Sequence, residues 1–359
     1  MGFKFNIGMN ERIKLNGLVF GMDELEQLYY PNEPENSWRN AIYYFLKNWF
    51  DNTPFISVHT SGSTGEPKQI ELSKECMIHS AQMTNRFFNL DDQCSALLCL
   101  PVSYIAGKMM VVRALVGGFN LICVDPKANP FENLNESIDF TAITPYQLHH
   151  SIHSLAKLQI RHIIVGGGHV NVKLEQLVAS FETRFYETYG MTETCSHIAL
   201  RCFNGQTKSD YFTIVDGVSI CQDERGCLIV SAPDLLRDEI ITNDIVEIHS
   251  KTSFRWLGRA DYMINSGGVK IHPEMVEKKM QPFMLHPFFI GMLPDENLGQ
   301  QVILVIESAT YTKSEETELK NRLKQVLVKY EQPKQIFYLS HFIYSASNKI
   351  LRNETIKKL

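Results

Sequence analysis

The sequence lacks several features that would assign it to a class of protein at once. The closest pair among its eight cysteines, Cys94 and Cys99, does not have the spacing of a zinc site, and a chain of 359 residues needs no disulfides to hold its core. Its most apolar stretch, 109–124, is interrupted by an arginine and two glycines, so we expect no membrane span. The segment 1–14 has no apolar block typical of a signal peptide. We therefore expect a reduced, cytoplasmic protein.

The sequence also has little net charge. Its 35 Lys and Arg residues and 40 Asp and Glu residues leave a formal charge of -5. This is too weak for general attraction to nucleic acid or to an anionic membrane, so any anion site must be local. The 44% hydrophobic and 21% charged composition is typical of a folded globular protein, and the length predicts about two domains. The oligomeric state stays open.

Helix and strand patterns alternate from about residue 95 to residue 190, which indicates a doubly wound α/β sheet. The first fifty residues read as a small helical segment, and short strands after Gly217 indicate a β meander or barrel. We predict an α/β fold with a large domain over 1–260, made of a doubly wound sheet and a barrel-like subdomain. A small, mobile α+β domain is expected over 261–359.

The strongest single motif is the loop 60–68, Thr-Ser-Gly-Ser-Thr-Gly-Glu-Pro-Lys, between a predicted strand and a predicted helix capped by Ser73. Its small residues would let backbone N–H groups approach a phosphate, and Lys68 would add charge. The loop is not a Walker A motif, because the second glycine and the following hydroxyl residue are missing and Pro67 has no N–H to donate. Composition alone also allows a flexible surface loop.

This loop resembles the phosphate loop of the adenylate-forming enzymes, the family of acyl-CoA ligases, peptide-synthetase adenylation domains and luciferases. The resemblance extends over roughly 54–359, and the chain is shorter at its N-terminal side than this family usually is. Five later segments are similar to motifs of the family and follow in the same order: Gly166–Gly168, Tyr189–Thr194, Thr242–Asp244, 258–268 and Ser347–Arg352.

The resemblance implies a site for ATP and Mg²⁺. Tyr189 would stack on adenine, Thr192 would contact phosphate, and Glu193 would hold Mg²⁺, an ion that prefers oxygen ligands. Asp244 and Arg259 would bind the ribose. Taken alone, Glu193 and Arg259 would be read as surface charges. The other implied ATP contacts are small residues and one lysine: Thr60, Ser61, Gly62, Ser63, Thr64, Gly65, Lys68, Gly166, Gly167, Gly168 and Gly190.

The resemblance also implies a moving C-terminal domain. Lys349 would be the catalytic lysine, which neutralises charge as a carboxylate attacks the α-phosphorus of ATP. Asp261 would be the hinge. After adenylate formation the domain would turn and present Gly267 and Gly268 to coenzyme A, the thiol co-substrate. A near-terminal lysine taken alone would be read as solvated.

The acid pocket resembles that of one subfamily, the o-succinylbenzoate–CoA ligases of menaquinone biosynthesis. Segment 100–107 is similar to a motif of that subfamily, with Tyr104 where histidine is typical. Arg113 matches a basic residue that faces the substrate there, and a guanidinium suits a second carboxylate. Ser196 and His197 would add a hydroxyl and an imidazole to the pocket. Arg113 could equally be a helix arginine that reaches the surface, and Tyr104 a core aromatic.

Two other functions stay open at this point. The first is an adenylating ligase for another aryl or acyl acid, with a carrier protein as an alternative acceptor to coenzyme A. The second is an inactive nucleotide-binding relative, which the departures at Tyr104 and Asn348 would suggest. The presence of Lys68, Glu193 and Lys349 argues against an inactive relative.

Overall fold

The structure is a computed structural model that describes residues 12–59, 69–344 and 350–359. The helices in chain order are α1 (Trp38–Phe50), α2 (Lys74–Phe88), α3 (Ile105–Gly117), α4 (Pro145–Leu155), α5 (Val172–Leu177), α6 (Pro273–Met280), α7 (Lys313–Val326) and α8 (Arg352–Ile356). The strands in the first part of the chain are β1 (Arg12–Leu15), β2 (Leu18–Gly21), β3 (Phe55–His59), β4 (Gln69–Ser73), β5 (Ser95–Leu98), β6 (Asn120–Cys123), β7 (Ile138–Ile143), β8 (Ile160–Val165), β9 (Arg184–Gly190) and β10 (His197–Cys202). The later strands are β11 (Phe212–Ile214), β12 (Ser219–Gln222), β13 (Cys227–Ser231), β14 (Ile240–Ser250), β15 (Ser253–Arg259), β16 (Ile264–Ser266), β17 (Val269–Ile271), β18 (Phe288–Asp295), β19 (Gly299–Glu307) and β20 (Gln335–Leu339).

A 13-stranded sheet organises the larger part of the molecule, in the order β12-β13-β14-β15-β11-β10-β9-β8-β7-β5-β6-β1-β2. Its centre is parallel from β9 through β8, β7, β5 and β6 to β1. Neighbouring residues of β5 face opposite cores, because Leu98 packs with the group that includes α1, α2 and α3 whereas Leu97 packs with α4 and α5. Helices therefore cover both faces, which confirms the predicted doubly wound α/β fold.

The first fifty residues contain a β-hairpin as well as the predicted helix. Strands β1 and β2 pair across Asn16-Gly17, both in the left-handed region at φ 49° and 82°. Asn-Gly between two short strands is the preferred sequence of a two-residue hairpin turn. The expectation of a purely helical segment is therefore wrong, and the hairpin extends the large sheet through β6.

The glycine-rich loop 60–68 lies outside the described residues, whereas the strands on either side of it are described. It connects β3 to β4, which pair as an antiparallel hairpin in register from Phe55 opposite Ser73. Ser73 caps α2 by accepting from the Cys76 N–H, as predicted. The loop was expected to lead directly into a helix. This is wrong, because strand β4 lies between the loop and α2.

The strands after Gly217 form the predicted meander, with β12, β13, β14 and β15 paired in sequence order. They are not a separate barrel. Strand β11 pairs with both β10 and β15 and so joins the meander to the large sheet. The barrel-like subdomain is therefore the antiparallel end of the same sheet.

The strands after residue 263 form a second sheet, in the order β17-β16-β19-β18, and β20 pairs parallel to β19. Asp261 lies in the short 3-10 turn Ala260–Tyr262 between the last strand of one sheet and the first strand of the other. Helices α6 and α7 pack on the second sheet through residues such as Val276 and Leu323. Sheet membership therefore changes next to the predicted hinge residue.

Two expectations about cysteine and membranes can be compared with the structure. Cys76 and Cys195 form a disulfide, so the expectation that every thiol is reduced is wrong for this pair. The other six cysteines are free. Within the described residues, no helix combines the length and the apolar character needed to cross a bilayer.

Candidate active site

A cavity of about 1140 Å³ opens where the parallel strands β7, β8 and β9 reach their carboxyl ends. This edge is where ligands bind in open α/β sheets, because loops rather than strands surround it. The predicted site residues that line it are Arg113, Gly166, Gly167, Gly168, Tyr189, Gly190, Thr192, Glu193, Ser196, His197 and Asp244. The structure therefore brings together most of those predicted site residues that it describes.

Asp244 is held at the cavity wall by two donors. Its Oδ2 accepts from the Tyr189 hydroxyl at 2.8 Å and its Oδ1 accepts from Trp256 Nε1 at 3.1 Å. Burial and the Asp244 charge raise the pKa of Tyr189, so the phenol stays a neutral donor. A carboxylate oxygen has two lone-pair sites, so each Asp244 oxygen can still accept one more hydrogen bond. Asp244 is thus able to receive two hydroxyl groups of a ligand.

Arg259 lies beside Asp244, with 3.7 Å between its Nη1 and the Asp244 Oδ1, and donates to Asp261 Oδ2 at 3.1 Å. Burial alone would lower the pKa of Arg259, but the charges of Asp244 and Asp261 outweigh it and raise that pKa. Arg259 does not line the cavity in this arrangement, and it links the wall to the predicted hinge.

A buried ion network stands behind the glycine turn. Glu187 accepts from His169 Nδ1 and from the Val170 N–H, each at 2.9 Å, and from Arg201 Nη2 at 2.7 Å. Burial would raise the pKa of Glu187, but the His169 hydrogen bond and charge and the Arg201 charge lower it to about 2. Arg201 also donates to Glu175 at 2.8 Å. The network fixes strand β9 where it enters the cavity.

Glu193 is exposed to the cavity, in the short 3-10 turn Thr192–Thr194. Among the described residues, no cation forms an ion pair with it, and no group of three or more His, Cys, Asp or Glu residues could hold a metal. A single carboxylate in a wide cavity is too few ligands for a metal that is coordinated by protein atoms alone. Glu193 instead fits Mg²⁺, which is usually held by one or two carboxylates together with substrate phosphates.

Arg113 is the most deeply buried cation at the cavity, with 1% of its surface exposed. Its Nη2 donates to Ser196 Oγ at 2.6 Å and its Nη1 to the Met110 sulfur at 3.6 Å, whereas its Nε has no partner in the described part of the chain. Burial lowers the pKa of Arg113 to about 9, so the side chain is still a cation at neutral pH. No carboxylate of the described residues lies within ion-pair distance of it.

His197 continues the contact made by Ser196. Its Nδ1 lies 3.5 Å from Ser196 Oγ and its Nε2 lies 3.3 Å from Thr84 Oγ1. Burial and the charge of Arg113 lower the pKa of His197 well below its usual range, so the imidazole is neutral. The side chains of Thr84 on α2, Arg113 on α3, His197 on β10 and the preceding Ser196 are thereby connected.

Other predicted site residues either lie away from the cavity or fall outside the described part of the chain. Tyr104 precedes α3 and is 59% exposed, because Ile105 and Ala106 rather than Tyr104 face the cavity. Gly267 and Gly268 form the turn between β16 and β17 and do not line it either. Lys349 and the loop residues Thr60, Ser61, Gly62, Ser63, Thr64, Gly65 and Lys68 lie outside the described residues.

Sequence reasoning missed several residues at the site. Glu187 and Arg201 are direct partners in the β9–β10 register, so a Glu and an Arg on neighbouring predicted strands could have suggested the pair. Trp256 lies on β15 three residues before Arg259 and had no motif to mark it. Thr84 lies on α2 and reaches His197 across 113 positions, a distance that no local pattern reveals.

Comparisons with known proteins identify similar sequences. The family described as AMP-binding enzyme matches residues 22–224. A 2-succinylbenzoate–CoA ligase of Bacillus cytotoxicus is 26% identical, over 96% of this chain and 82% of the relative. The enzyme of the same name from Bacillus cereus is 25% identical, over 83% of this chain and 68% of the relative.

Solved structures are similar as well. An acyl-CoA synthetase (AMP-forming)/AMP-acid ligase II-like protein from Dyadobacter fermentans is 33% identical with a TM-score of 0.62, over 94% of this chain and 98% of that one. The Bacillus subtilis o-succinylbenzoate CoA synthetase, in complex with its acyl-adenylate intermediate, has a TM-score of 0.68 at 20% identity, over 83% of this chain and 68% of that one. The second likeness is one of fold alone.

Proposed function

The chain belongs to the AMP-binding enzyme family, and from this premise we propose that it is an ATP-dependent ligase that joins o-succinylbenzoate to coenzyme A. Membership confirms the family predicted from loop 60–68 and the motifs that follow it. The chain is thus an adenylate-forming acid–CoA ligase, and its acid is the part that we propose. The relatives named 2-succinylbenzoate–CoA ligase support that choice at 25% and 26% identity.

The observation that carries the proposal is Arg113, a buried cation that has no carboxylate partner among the described residues. A buried charge without an opposite charge is costly, and a carboxylate of the ligand would supply that charge. Leu100, Ile105 and Ala106 line the same cavity and give it an apolar wall. An aromatic acid with a second carboxylate matches this combination, because its ring would lie on the apolar wall and the carboxylate would pair with Arg113.

The chemistry begins with two anions that repel each other. The free carboxylate of the acid attacks the α-phosphorus of ATP, pyrophosphate leaves, and a mixed anhydride with AMP forms. In this proposal Asp244 accepts from the ribose hydroxyls, and Glu193 would hold Mg²⁺, which would supply positive charge at the phosphates. Lys349 would offset the charge of the two reacting anions, and Lys68 and the loop backbone would hold the departing pyrophosphate. No general base is required, because the carboxylate is already ionised near neutral pH.

The second half-reaction needs a different arrangement. The coenzyme A thiolate attacks the acyl carbon, the acyl–thioester bond forms, and AMP leaves with the electron pair of the broken anhydride bond. Lys349 has no part in this step. We propose that 261–359 turns about Asp261, which removes the lysine and brings Gly267 and Gly268 toward the thiol.

The test is a panel of carboxylic acids, each incubated with ATP, Mg²⁺ and coenzyme A, with products read as thioester masses. The expected product is o-succinylbenzoyl-CoA, together with AMP and pyrophosphate in equal amounts. An Arg113→Ala variant should raise the KM for this dicarboxylate and leave the KM for ATP unchanged. Efficient thioester formation from monocarboxylates alone would contradict the choice of acid. Adenylate formation without a coenzyme A thioester would indicate a carrier-protein acceptor, and no pyrophosphate release with any acid would indicate an inactive relative.

A further inference from the structure

The directions of the hydrogen bonds that join Thr84, His197 and Ser196 follow from which atoms can donate and which can only accept. The Thr84 hydroxyl donates to the Ser80 carbonyl at 3.1 Å, since a carbonyl oxygen can only accept. Thr84 Oγ1 therefore has only lone pairs left for the His197 Nε2 at 3.3 Å, so this nitrogen must carry the hydrogen. Only the tautomer of His197 with hydrogen on Nε2 satisfies both contacts.

The remaining directions follow from that tautomer. A neutral imidazole with its hydrogen on Nε2 has a lone pair on Nδ1, so the Ser196 hydroxyl donates to His197 across 3.5 Å. Arg113 can only donate, and Ser196 Oγ accepts from its Nη2 at 2.6 Å. With the opposite tautomer, the bare Nε2 lone pair would face the Thr84 oxygen, whose only hydrogen is already donated to the Ser80 carbonyl.

We propose that Thr84 and His197 are positioning residues that orient Ser196 and, through it, aim the guanidinium of Arg113 at the second carboxylate of the acid. Thr84 does not line the cavity and is 1% exposed, so it acts only through its neighbours. Holding a ligand-binding group in its bound orientation lowers the entropy cost of binding. This inference rests on the proposed function and deepens it, since it says how the acid pocket selects a dicarboxylate.

The first test compares two acids that differ by one group. These are o-succinylbenzoate and 4-oxo-4-phenylbutyrate, which lacks the ring carboxylate. Thr84→Val keeps the shape of the side chain and removes the hydroxyl, and Thr84→Ser restores it. Thr141→Val is the matched control, because Thr141 is also fully buried and donates to the Leu97 carbonyl, but does not line the cavity.

We expect Thr84→Val to raise the KM and the calorimetric Kd for the dicarboxylate about tenfold, the loss of one charge-assisted contact. The values for the monocarboxylate and for ATP should stay within about twofold. Thr84→Ser should restore dicarboxylate affinity, and Thr141→Val should leave it unchanged. An equal loss for both acids, no loss for either, or a failure of Thr84→Ser to restore affinity would overturn the inference.

The second test reads the tautomer directly and needs no turnover. The protein is labelled with 15N-histidine, and the His197 signals are assigned by their absence from His197→Gln. We expect a neutral ring with hydrogen on Nε2 in the wild type. A hydrogen on Nδ1, or a protonated ring at neutral pH, would overturn the proposed positioning by Thr84 and His197. This result does not depend on whether Thr84→Val folds. A wild type that forms no thioester would instead overturn the proposed function, while the tautomer could still be read.

Discussion

The Tyr189 hydroxyl donates to Asp244 across 55 positions of sequence, with 2.8 Å between the phenol oxygen and Oδ2. The contact joins the end of β9 to β14 and holds Asp244 at the cavity. The Tyr189 ring also packs edge-on against Phe212 and Phe254, which leaves it little freedom to move. The residue that the resemblance assigns to adenine therefore also orients the residue that it assigns to ribose.

Replacing Tyr189 with Phe should raise the KM for ATP about fivefold, because Asp244 loses a donor that fixes its orientation. The KM for the acid should not change, since Arg113 and its partners are untouched. Steady-state kinetics with each substrate varied in turn measure both effects. Tyr186→Phe is the control, because this residue of β9 packs on Phe88 and forms no side-chain hydrogen bond within the described residues. An unchanged KM for ATP in Tyr189→Phe would show that the contact is dispensable.

Lys349→Ala should abolish adenylate formation and leave thioester formation from a supplied acyl-adenylate largely intact. The reason is electrostatic, since only the first half-reaction joins two anions. Pyrophosphate release measures one half-reaction and thioester mass measures the other. Lys357→Ala is a suitable control, because this nearby lysine is 70% exposed and pairs with Glu354 at the surface. Equal loss of both half-reactions would refute the division of labour.

Glu187→Gln should destabilise the protein by about 3 kcal/mol at neutral pH, because it leaves Arg201 buried beside a neutral partner. The pH dependence should change as well. The pKa of Glu187 is lowered from 4.5 to about 2, so its contribution to stability is present above pH 4.5 and is lost as the pH falls toward about 2. In Glu187→Gln this part of the acid destabilisation should be missing.

Urea titrations from neutral to acid pH would measure both effects on Glu187. The control is Glu247→Gln, which breaks an exposed pair with Arg255 on neighbouring strands and should cost less than about 1 kcal/mol. Equal free energies of unfolding for the two variants at neutral pH would contradict the stabilising role of the buried network.

Gly190→Ala should reduce both half-reactions. A Cβ at this position would lie 2.4 Å from the Ser196 carbonyl oxygen and 2.6 Å from the His197 Cα, both of them backbone atoms that cannot move aside independently. Strands β9 and β10 would separate at the cavity. Stopped-flow measurement of both steps would detect this, and Gly21→Ala, whose nearest neighbour at 2.8 Å is the flexible end of Glu24, tests whether any Gly→Ala change has the same effect.

Local patterns in the sequence predicted those elements that depend on neighbouring residues. Ser73 as the cap of α2 was predicted from a single turn of sequence. The short strands β1, β2 and β4 were missed, because four or five residues give too little periodicity to recognise. The Asn16-Gly17 turn was the one signal that could have revealed the first hairpin.

The site was predicted where motifs carry a resemblance and missed where side chains from distant elements meet. Asp244 lines the cavity as expected, but its donor Trp256 had no motif. Tyr104 occupies a motif position and still faces solvent, because the chain turns at the start of α3. A motif predicts which residues matter more reliably than it predicts the direction in which each side chain points.

The antiparallel pair β9–β10 has a consequence for substrate range. In the proposed function, Tyr189 on one strand contacts the nucleotide and His197 on the other contributes to the acid pocket. Residues 191–196 connect the two strands. The length of this hairpin would therefore set the distance between the phosphate under attack and the far end of the acid. A homologue that accepts a longer dicarboxylate would have to change the length of this turn or move the guanidinium to another turn of α3.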